Sequence, residues 1–332
     1  MKLHTVLFLC FIPLLFAGDQ PRLWRDPGPV EKLDLASGPG GSANAPKAPF
    51  TFVKEEKRGT APKAVIIDSL RKKWMVKFGE EAKAEVFASK MAWAAGYLVR
   101  TSYYVASGRI EGVPESGRIR DFMDEKGAFN GARFQMFDNE SFHEVSGGKL
   151  LDLSDKREDM RELNGLKLTL LLTANWDVKP ANTGTFEIDG QRYAMVTDWG
   201  ASMGDPSSTR PEFRKWNCSE YDKQTDRLIE GVADGYVQMD YKQYASRHEQ
   251  TLSSGIRVDD VKWFTDRVGK ISDRQLREGL VASGASKEET DCFTSAIRKR
   301  LTRFSSVAAG SNPGDAQTGT VTRTTTTRTT IK

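Results

Sequence analysis

The chain has 332 residues, 38% of them hydrophobic and 28% charged, with 49 Lys and Arg against 45 Asp and Glu for a formal net charge of +4. That length allows one large or two modest domains, and the composition is that of a globular protein with flexible ends. So mild a charge calls for neither nucleic acid nor an anionic membrane as partner, and no membrane span is expected beyond the apolar run at the N-terminus.

Residues 1–18 carry one Lys, an apolar run over 6–16 and the small pair Ala17-Gly18. That is the layout of a secretory signal peptide, too short to be a comfortable membrane span. Leu9 before Cys10 makes a poor lipoprotein cleavage site. The expectation is an exported protein, secreted or periplasmic; a misplaced start codon would leave it cytoplasmic, and an uncleaved segment would be an anchor. After processing only Cys218 and Cys292 remain. An oxidising compartment lets them pair, whereas two cysteines outside any motif are more often free and buried.

Residues 19–49, rich in Gly, Pro, Ala and Ser around Gly38-Pro39-Gly40-Gly41, read as a flexible linker. The domain is expected over 50–304, with a small β-rich lobe at about 50–106 and a larger lobe at about 107–304. A disordered Ser/Thr-rich tail is expected at 305–332.

In the small lobe, 50–53, 64–68 and 74–78 read as strands. Between the first two, Gly59-Thr60-Ala61-Pro62-Lys63 lets backbone amides approach a phosphate, with Lys63 adding charge; an ordinary Gly-Pro turn is the plain alternative. Lys77 alternates with apolar neighbours at the inner end of the third strand. An unpaired ammonium is expensive to bury, so it needs a carboxylate or a phosphate, unless it is a solvated strand end. The helix at 80–95 supplies Glu81 and Glu85 one turn apart on one face. Glu85 is the expected partner, because Glu81 in the first turn also answers the helix dipole. Residues 97–106 read as the strand leading to the hinge between lobes, and 133–137 as a short further strand. His143, with no second ligand at metal spacing, reads as structural or solvated.

Residues 163–200 organise the rest. An apolar helix (Leu163, Leu166, Leu168, Leu170, Leu171, Leu172) runs into Asn175-Trp176-Asp177-Val178-Lys179-Pro180-Ala181-Asn182, then a hairpin, then Asp198-Trp199-Gly200. Asp189-Gly190 is a type I′ turn signal that sets Phe186 against Tyr193 and Ile188 against Gln191. An acid, an amide five residues on and a second acid beyond a hairpin form the arrangement that holds a nucleoside triphosphate and its metals beside an attacking hydroxyl. Asp177 would orient or deprotonate the attacking group, and Lys179 would neutralise charge on the transferred phosphoryl. Asn182 and Asp198 offer hard oxygens that suit Mg²⁺. Taken singly, each motif also reads as a surface loop with chance acids.

Residues 201–214 read as a loop in the position of an activation segment, with Ser207, Ser208 and Thr209 on it. Two or three helices should follow, then helices at 258–268, 272–283 and 287–304, with Ser272/Gln275 and Ser286/Glu289 as capping boxes. The helix dipole suffices to explain Arg298-Lys299-Arg300 near a helix C-terminus.

The run at 177–182 resembles the catalytic loop Asp-x-Lys-Pro-x-Asn of protein kinases, and Asp198-Trp199-Gly200 resembles their Asp-Phe-Gly. The His-Arg before the aspartate is replaced by Asn175-Trp176, which is similar instead to the HipA kinases and their phosphatidylinositol-kinase-like relatives. The loop from Gly59 to Lys63 resembles the HipA-type Gly-x-x-Pro-Lys loop. Residues 50–304 as a whole are similar to bacterial proteins of this HipA-like group, on Lys77-Phe78-Gly79 with Glu85, on 161–167 leading to Asp177, and on the helices of 263–303. The resemblance implies an α+β, bilobal protein-kinase-like fold with a helical larger lobe. It implies ATP and Mg²⁺ as cofactors, Lys77, Glu85, Asp177 and Lys179 as catalytic residues, Gly59, Thr60, Lys63 and Lys77 on the nucleotide, and Asn182 and Asp198 on the metal. Three functions fit: a phosphotransferase acting on an unknown protein, lipid or small-molecule hydroxyl, a pseudokinase scaffold, and a nucleotidyl transferase that attaches AMP.

Overall fold

Alternating apolar residues build the small lobe. In the computed structural model, which describes residues 21–57, 59, 61–137, 142–145, 160–205, 208–210, 213–239 and 254–310, five strands close into a barrel. They are β1 (Phe50–Glu56), β2 (Lys63–Ile67), β3 (Lys73–Phe78), β4 (Ser102–Glu111) and β5 (Ala128–Met136), in the order β1-β2-β3-β5-β4. Inward-facing Phe50, Ile66, Trp74, Val76, Phe129 and Phe134 fill it. Trp74 Nε1 donates to Asp68 Oδ2 at 3.1 Å, and Asp68 Oδ1 accepts from the amides of Leu70 and Lys72, which fixes the β2–β3 turn. Helix α1 (Glu81–Ala94) packs beside the barrel and is buried on nearly every face.

The small lobe extends past the expected boundary at 106. Residues 102–111 pair antiparallel with β5 from Ser102 opposite Gln135 to Arg109 opposite Ala128, so β5 rather than 97–106 delivers the chain to the hinge at Met136 and Phe137. The polar turns between the two strands hide this return in the sequence.

The larger lobe holds β6 (Phe142–Glu144), α2 (Arg161–Leu172), β7 (Thr183–Ile188), β8 (Gln191–Val196), α3 (Cys218–Thr225), β9 (Ile229–Ala233), β10 (Tyr236–Met239), α4 (Val258–Val268), α5 (Asp273–Val281) and α6 (Lys287–Ala308). The fold is α+β with two lobes, as the resemblance implies. The β7–β8 hairpin has the expected register, Phe186 opposite Tyr193 and Ile188 opposite Gln191, turning through Asp189 (φ 49°) and Gly190 (φ 76°). His143 stands opposite Glu187 in the β6–β7 pair. Between 214 and 258 the described residues form one helix and a β9–β10 hairpin; the rest of the stretch expected to hold two or three helices, 240–253, lies outside the described residues. Both capping boxes form.

Helix α6 continues through residues 305–308, which are therefore helix and not tail. Arg298, Lys299 and Arg300 consequently lie away from the helix end, where the dipole no longer explains them. Arg298 binds Asp273, and Lys299 reaches Asp222 at 3.1 Å and Asp226 at 3.0 Å. Arg300 is wholly buried. Its guanidinium stacks 3.8 Å from the Tyr221 ring and donates to the Leu171 carbonyl at 2.8 Å, the Tyr221 carbonyl at 2.8 Å and Gln224 Oε1 at 3.0 Å. It thus adds a charged donor to a carbonyl in the last turn of α2, where the regular i to i+4 bonds run out.

Residues 21–49 are not a flexible linker. Arg22 pairs at the β8 edge, its amide donating to the Arg192 carbonyl and its carbonyl accepting from Ala194. Trp24 Nε1 donates to the Ala95 carbonyl at 2.8 Å, and Leu23, Val30 and Leu35 enter the core of the larger lobe. Gln275 holds the Val30 and Leu33 carbonyls at 2.9 Å each. The glycines that suggested flexibility serve close approach: a Cβ on Gly40 would lie 2.1 Å from the Tyr103 hydroxyl oxygen. The expected signal peptide, Thr60, Ser207 and the tail beyond 310 lie outside the described residues.

Two consequences are testable. Cys218 and Cys292 form a disulfide with a Cα–Cα distance of 6.1 Å and a sequence separation of 74, joining α3 to α6. Loop-closure entropy for that separation is roughly 4 kcal/mol; Cys292→Ser is expected to cost about 2–4 kcal/mol and to make urea unfolding insensitive to reductant, which lowers the midpoint of the parent. Lys90 of α1 is buried and donates to the Ala36 carbonyl at 2.8 Å. Desolvation pushes its pKa down to about 8 from 10.5, with Asp34 opposing. The unfolded chain therefore binds this proton more tightly between pH 8 and 10.5, and the Lys90 contribution to stability rises with pH across that window. Lys90→Met is expected to be roughly 2 kcal/mol more stable than the parent at pH 7, after about 1 kcal/mol for the lost hydrogen bond. Melting curves taken from pH 7 to 10.5 should show the gap closing.

Candidate active site

The lobes meet over a cleft of about 580 Å³ whose lining includes Gly59, Lys63, Lys77, Glu85 and Arg133 from the small lobe and Ala181, Thr183, Thr197 and Asp198 from the larger one. Lys77, at the inner end of β3, is 4% exposed. Its ammonium lies 2.7 Å from Glu85 Oε2, 3.1 Å from Glu81 Oε2 and 3.8 Å from Asp198 Oδ1. Burial alone would lower the lysine pKa, but Glu85 and Asp198 outweigh it and the value is raised. Glu85 is the nearest partner, as expected, and Glu81 shares the ammonium. Glu81 is also bound by Lys215, and although burial opposes ionisation, Lys77 and Lys215 hold its pKa below the usual carboxylate range.

Helix α2 ends in a Schellman-type turn. The Asn175 amide donates to the Leu170 carbonyl at 2.8 Å and the Ala174 amide to that of Leu171 at 3.1 Å, with Ala174 at φ 52°. The chain is thereby turned so that Asn175 faces both acidic segments: Nδ2 donates to the Asp198 carbonyl at 3.2 Å, and Oδ1 accepts from the Asp177 amide at 3.2 Å. Asn182 Nδ2 donates to the Asp177 carbonyl at 2.7 Å and to its Oδ2 at 3.1 Å, while the Asn182 carbonyl accepts from Thr197 at 2.8 Å. Lys179 places its ammonium 2.8 Å from both Asp177 oxygens. Asp198 Oδ1 accepts from the Gly200 amide at 2.9 Å. Its side chain is 40% exposed; the walls still make ionisation costly, and Lys77 with the Gly200 amide overcomes that and lowers its pKa.

The structure thus brings Lys77, Glu85 and Asp198 together and stations Asp177, Lys179 and Asn182 on a loop hydrogen-bonded to the Asp198 segment. Gly59 (φ 75°) and Lys63 line the same cleft, and a Cβ on Gly59 would stand 3.4 Å from Lys63 Nζ. Desolvation first, then Lys77 and Arg133, push the Lys63 pKa down. Arg133, Lys215 and Asn175 also stand in the site and are not among the residues expected to bind. A charged side chain in an apolar strand, the signal that marked Lys77, was equally present at Arg133.

Among the described residues no cluster of three His, Cys, Asp or Glu could hold a metal unaided. The donor set still fits Mg²⁺, which needs only one or two protein oxygens and takes the rest from phosphates and water. Asn182 spends its amide hydrogens on Asp177, so its amide oxygen is the atom left for a cation.

No protein-family model and no curated protein matches the chain. The solved structures to which it is similar include kinases. A Helicobacter pylori proinflammatory kinase, CtkA, is 11% identical over 80% of this chain and 98% of that one, with a TM-score of 0.46. The Golgi casein kinase with Mn/ADP bound is 12% identical over 80% and 73%, with a TM-score of 0.40. HipA of Shewanella oneidensis MR-1, in complex with HipB and operator DNA, is 10% identical over 80% and 68%, with a TM-score of 0.34. At these scores the likeness is one of outline; the functional reading rests on the site's own distances.

The ion-pair geometry ranks the acids. Glu85→Ala leaves Lys77 and Arg133 buried with too little negative charge and is expected to cost about 3–5 kcal/mol. Glu81→Ala leaves Lys77 still on Glu85 and should cost about 1 kcal/mol. Urea denaturation at pH 7 measures both, and equal losses would contradict the ranking.

Proposed function

We propose that the protein is a Mg²⁺- and ATP-dependent phosphotransferase acting on a hydroxyl acceptor. The observation that carries this is the convergence across the cleft: the Lys77 ammonium of the small lobe stands 3.8 Å from Asp198 of the larger lobe, beside a loop in which Asp177 and Asn182 are already hydrogen-bonded to each other. Lys77 and Lys63 would neutralise phosphate oxygens, and Glu85 would keep Lys77 oriented. Asp198 and Asn182 would hold the magnesium. The ion would supply charge neutralisation at the transferred group, chemistry in which positioning and electrostatics do most of the work. Asp177 would orient the acceptor hydroxyl and receive its proton, with Lys179 beside it facing the transferred charge.

The Cys218–Cys292 disulfide supports export, because such bonds persist in oxidising compartments. The same observation favours one second reading. ATP is scarce outside the cytoplasm, so an exported chain with this cleft would be a nucleotide-binding or empty scaffold that recognises a partner.

Binding and turnover separate the readings. With Mg-ATP at a hundredfold excess over its dissociation constant, the full chain should gain roughly 2.7 kcal/mol of stability. Asp198→Ala should abolish the metal-dependent part of that gain, whereas Asp177→Ala should keep it and lose turnover. Label transferred from the γ-phosphate marks phosphoryl transfer, and label from the α-phosphate marks nucleotidyl transfer. Thermal melts and a labelled-ATP assay on the three proteins check this; parent-like turnover in both variants would refute the assigned roles.

A further inference from the structure

Arg133 lies directly opposite Lys77 in the β3–β5 register. Like charges facing each other across a sheet repel, and here both are nearly dry, Arg133 at 2% and Lys77 at 4% exposure. One carboxylate makes the pair tolerable: Glu85 gives Oε1 to Arg133 Nη1 at 2.7 Å and Oε2 to Lys77 at 2.7 Å. A single buried acid between two buried cations leaves one positive charge in excess. The Arg133 Nε–H is buried and has no hydrogen-bond acceptor among the described residues. A fold that needed only to seat Glu85 had no reason to accept that cost, since Lys77 alone would pair with it.

The wider charge count points the same way. Lys63, Lys77 and Arg133 line the cleft together with Glu85 and Asp198, and the remaining charged residues of the lining are two cations, Lys54 and Arg100, and two acids, Glu56 and Glu144. Glu81 is matched by Lys215. Five cations thus face four acids, and without Arg133 the cleft floor would be neutral. A neutral floor offers a polyanion little, whereas one uncompensated charge behind low-dielectric walls attracts it strongly.

We propose that Arg133 is a positioning residue that frees Lys77 for the nucleotide: it takes half of Glu85, and its charge makes the cleft floor a receptor for the phosphate chain. The inference rests on the nucleotide-binding reading of the cleft and adds to it a determinant that selects ligands by phosphate number. Arg133 acts through Glu85 and through the field, so its effect should scale with ligand charge.

The test is calorimetric titration of the full chain with adenosine, ADP and ATP in the presence of Mg²⁺, for the parent, Arg133→Met, Arg133→Lys and the double variant Glu85→Gln/Arg133→Met. Arg133→Met should weaken ATP by roughly 10–100-fold, weaken ADP less, and leave adenosine unchanged. Arg133→Lys should regain most of the loss. The double variant removes one charge of each sign, restores the net charge of the floor and should recover ATP binding relative to Arg133→Met; it also keeps the test open if the single variant misfolds, because Lys77 still has Glu81 and Asp198 as partners. Equal weakening of all three ligands would show that Arg133 serves only to hold the fold, and parent-like ATP affinity in Arg133→Met would overturn the proposal while leaving the nucleotide reading intact. If the parent binds none of the three ligands, both fail together.

Discussion

A lysine ammonium at 4% exposure is the constraint on which the rest of the structure depends. Taking such a charge out of water costs several kcal/mol, and the cost is offset only if carboxylates are delivered to it with good geometry. The small lobe cannot supply them from β3 itself. Helix α1 therefore has to stand where Glu81 and Glu85 reach Lys77, and the Asp198 segment has to approach from the other lobe. The cleft is the space that remains once these charges have been satisfied.

That places the burden on whatever positions α1, and most of the fastenings come from distant parts of the chain. Lys83 reaches Glu289 of α6 at 3.0 Å, and Phe87 packs edge-on against Trp216, which itself lies against Phe293 and donates to Glu289. Lys90, two turns beyond Lys83 on the same stripe of the helix, anchors the Ala36 carbonyl. Lys215, next in sequence to Trp216, is the residue that binds Glu81. The disulfide at Cys218 holds this stretch against α6, so the last helix governs the geometry of a cation in the first lobe. Arg300 of the same helix secures the end of α2, from which the Asp177 loop departs.

How much of this could be read in the sequence follows from where each partner lies. The Lys77–Glu85 pair, the hairpin turning at Asp189-Gly190 and the two capping boxes depend on spacings of three to eight residues, and all form as expected. Arg300 could not be read, because its acceptors, from Thr225 Oγ1 to the Leu171 carbonyl, lie 75 to 129 residues away, and three basic residues in a row look alike until one of them is buried. The segment at 21–49 misled through composition. Its Gly and Pro content resembles a tether, yet Leu23, Val30 and Leu35 are the residues that decide, and three apolar side chains without helical or strand period give no signal. The β4–β5 return was obscured in the same way by the polar turns between them.

The acids of the site divide into a fixed half and an adjustable half. Lys77, Glu85 and Arg133 are locked in a dry network, where breaking one contact orphans a charge. Asp177 and Lys179 also pair, at 2.8 Å, but their side chains are 35% and 45% exposed, and a pair so open to water is worth at most about 1 kcal/mol. An arriving phosphate can therefore draw Lys179 away from Asp177 at small cost, leaving the carboxylate held in place by Asn182 and its amide by Asn175. On the proposed reading this is the division phosphoryl transfer requires: the nucleotide end is prearranged, and the acceptor end opens only when a competing anion is present.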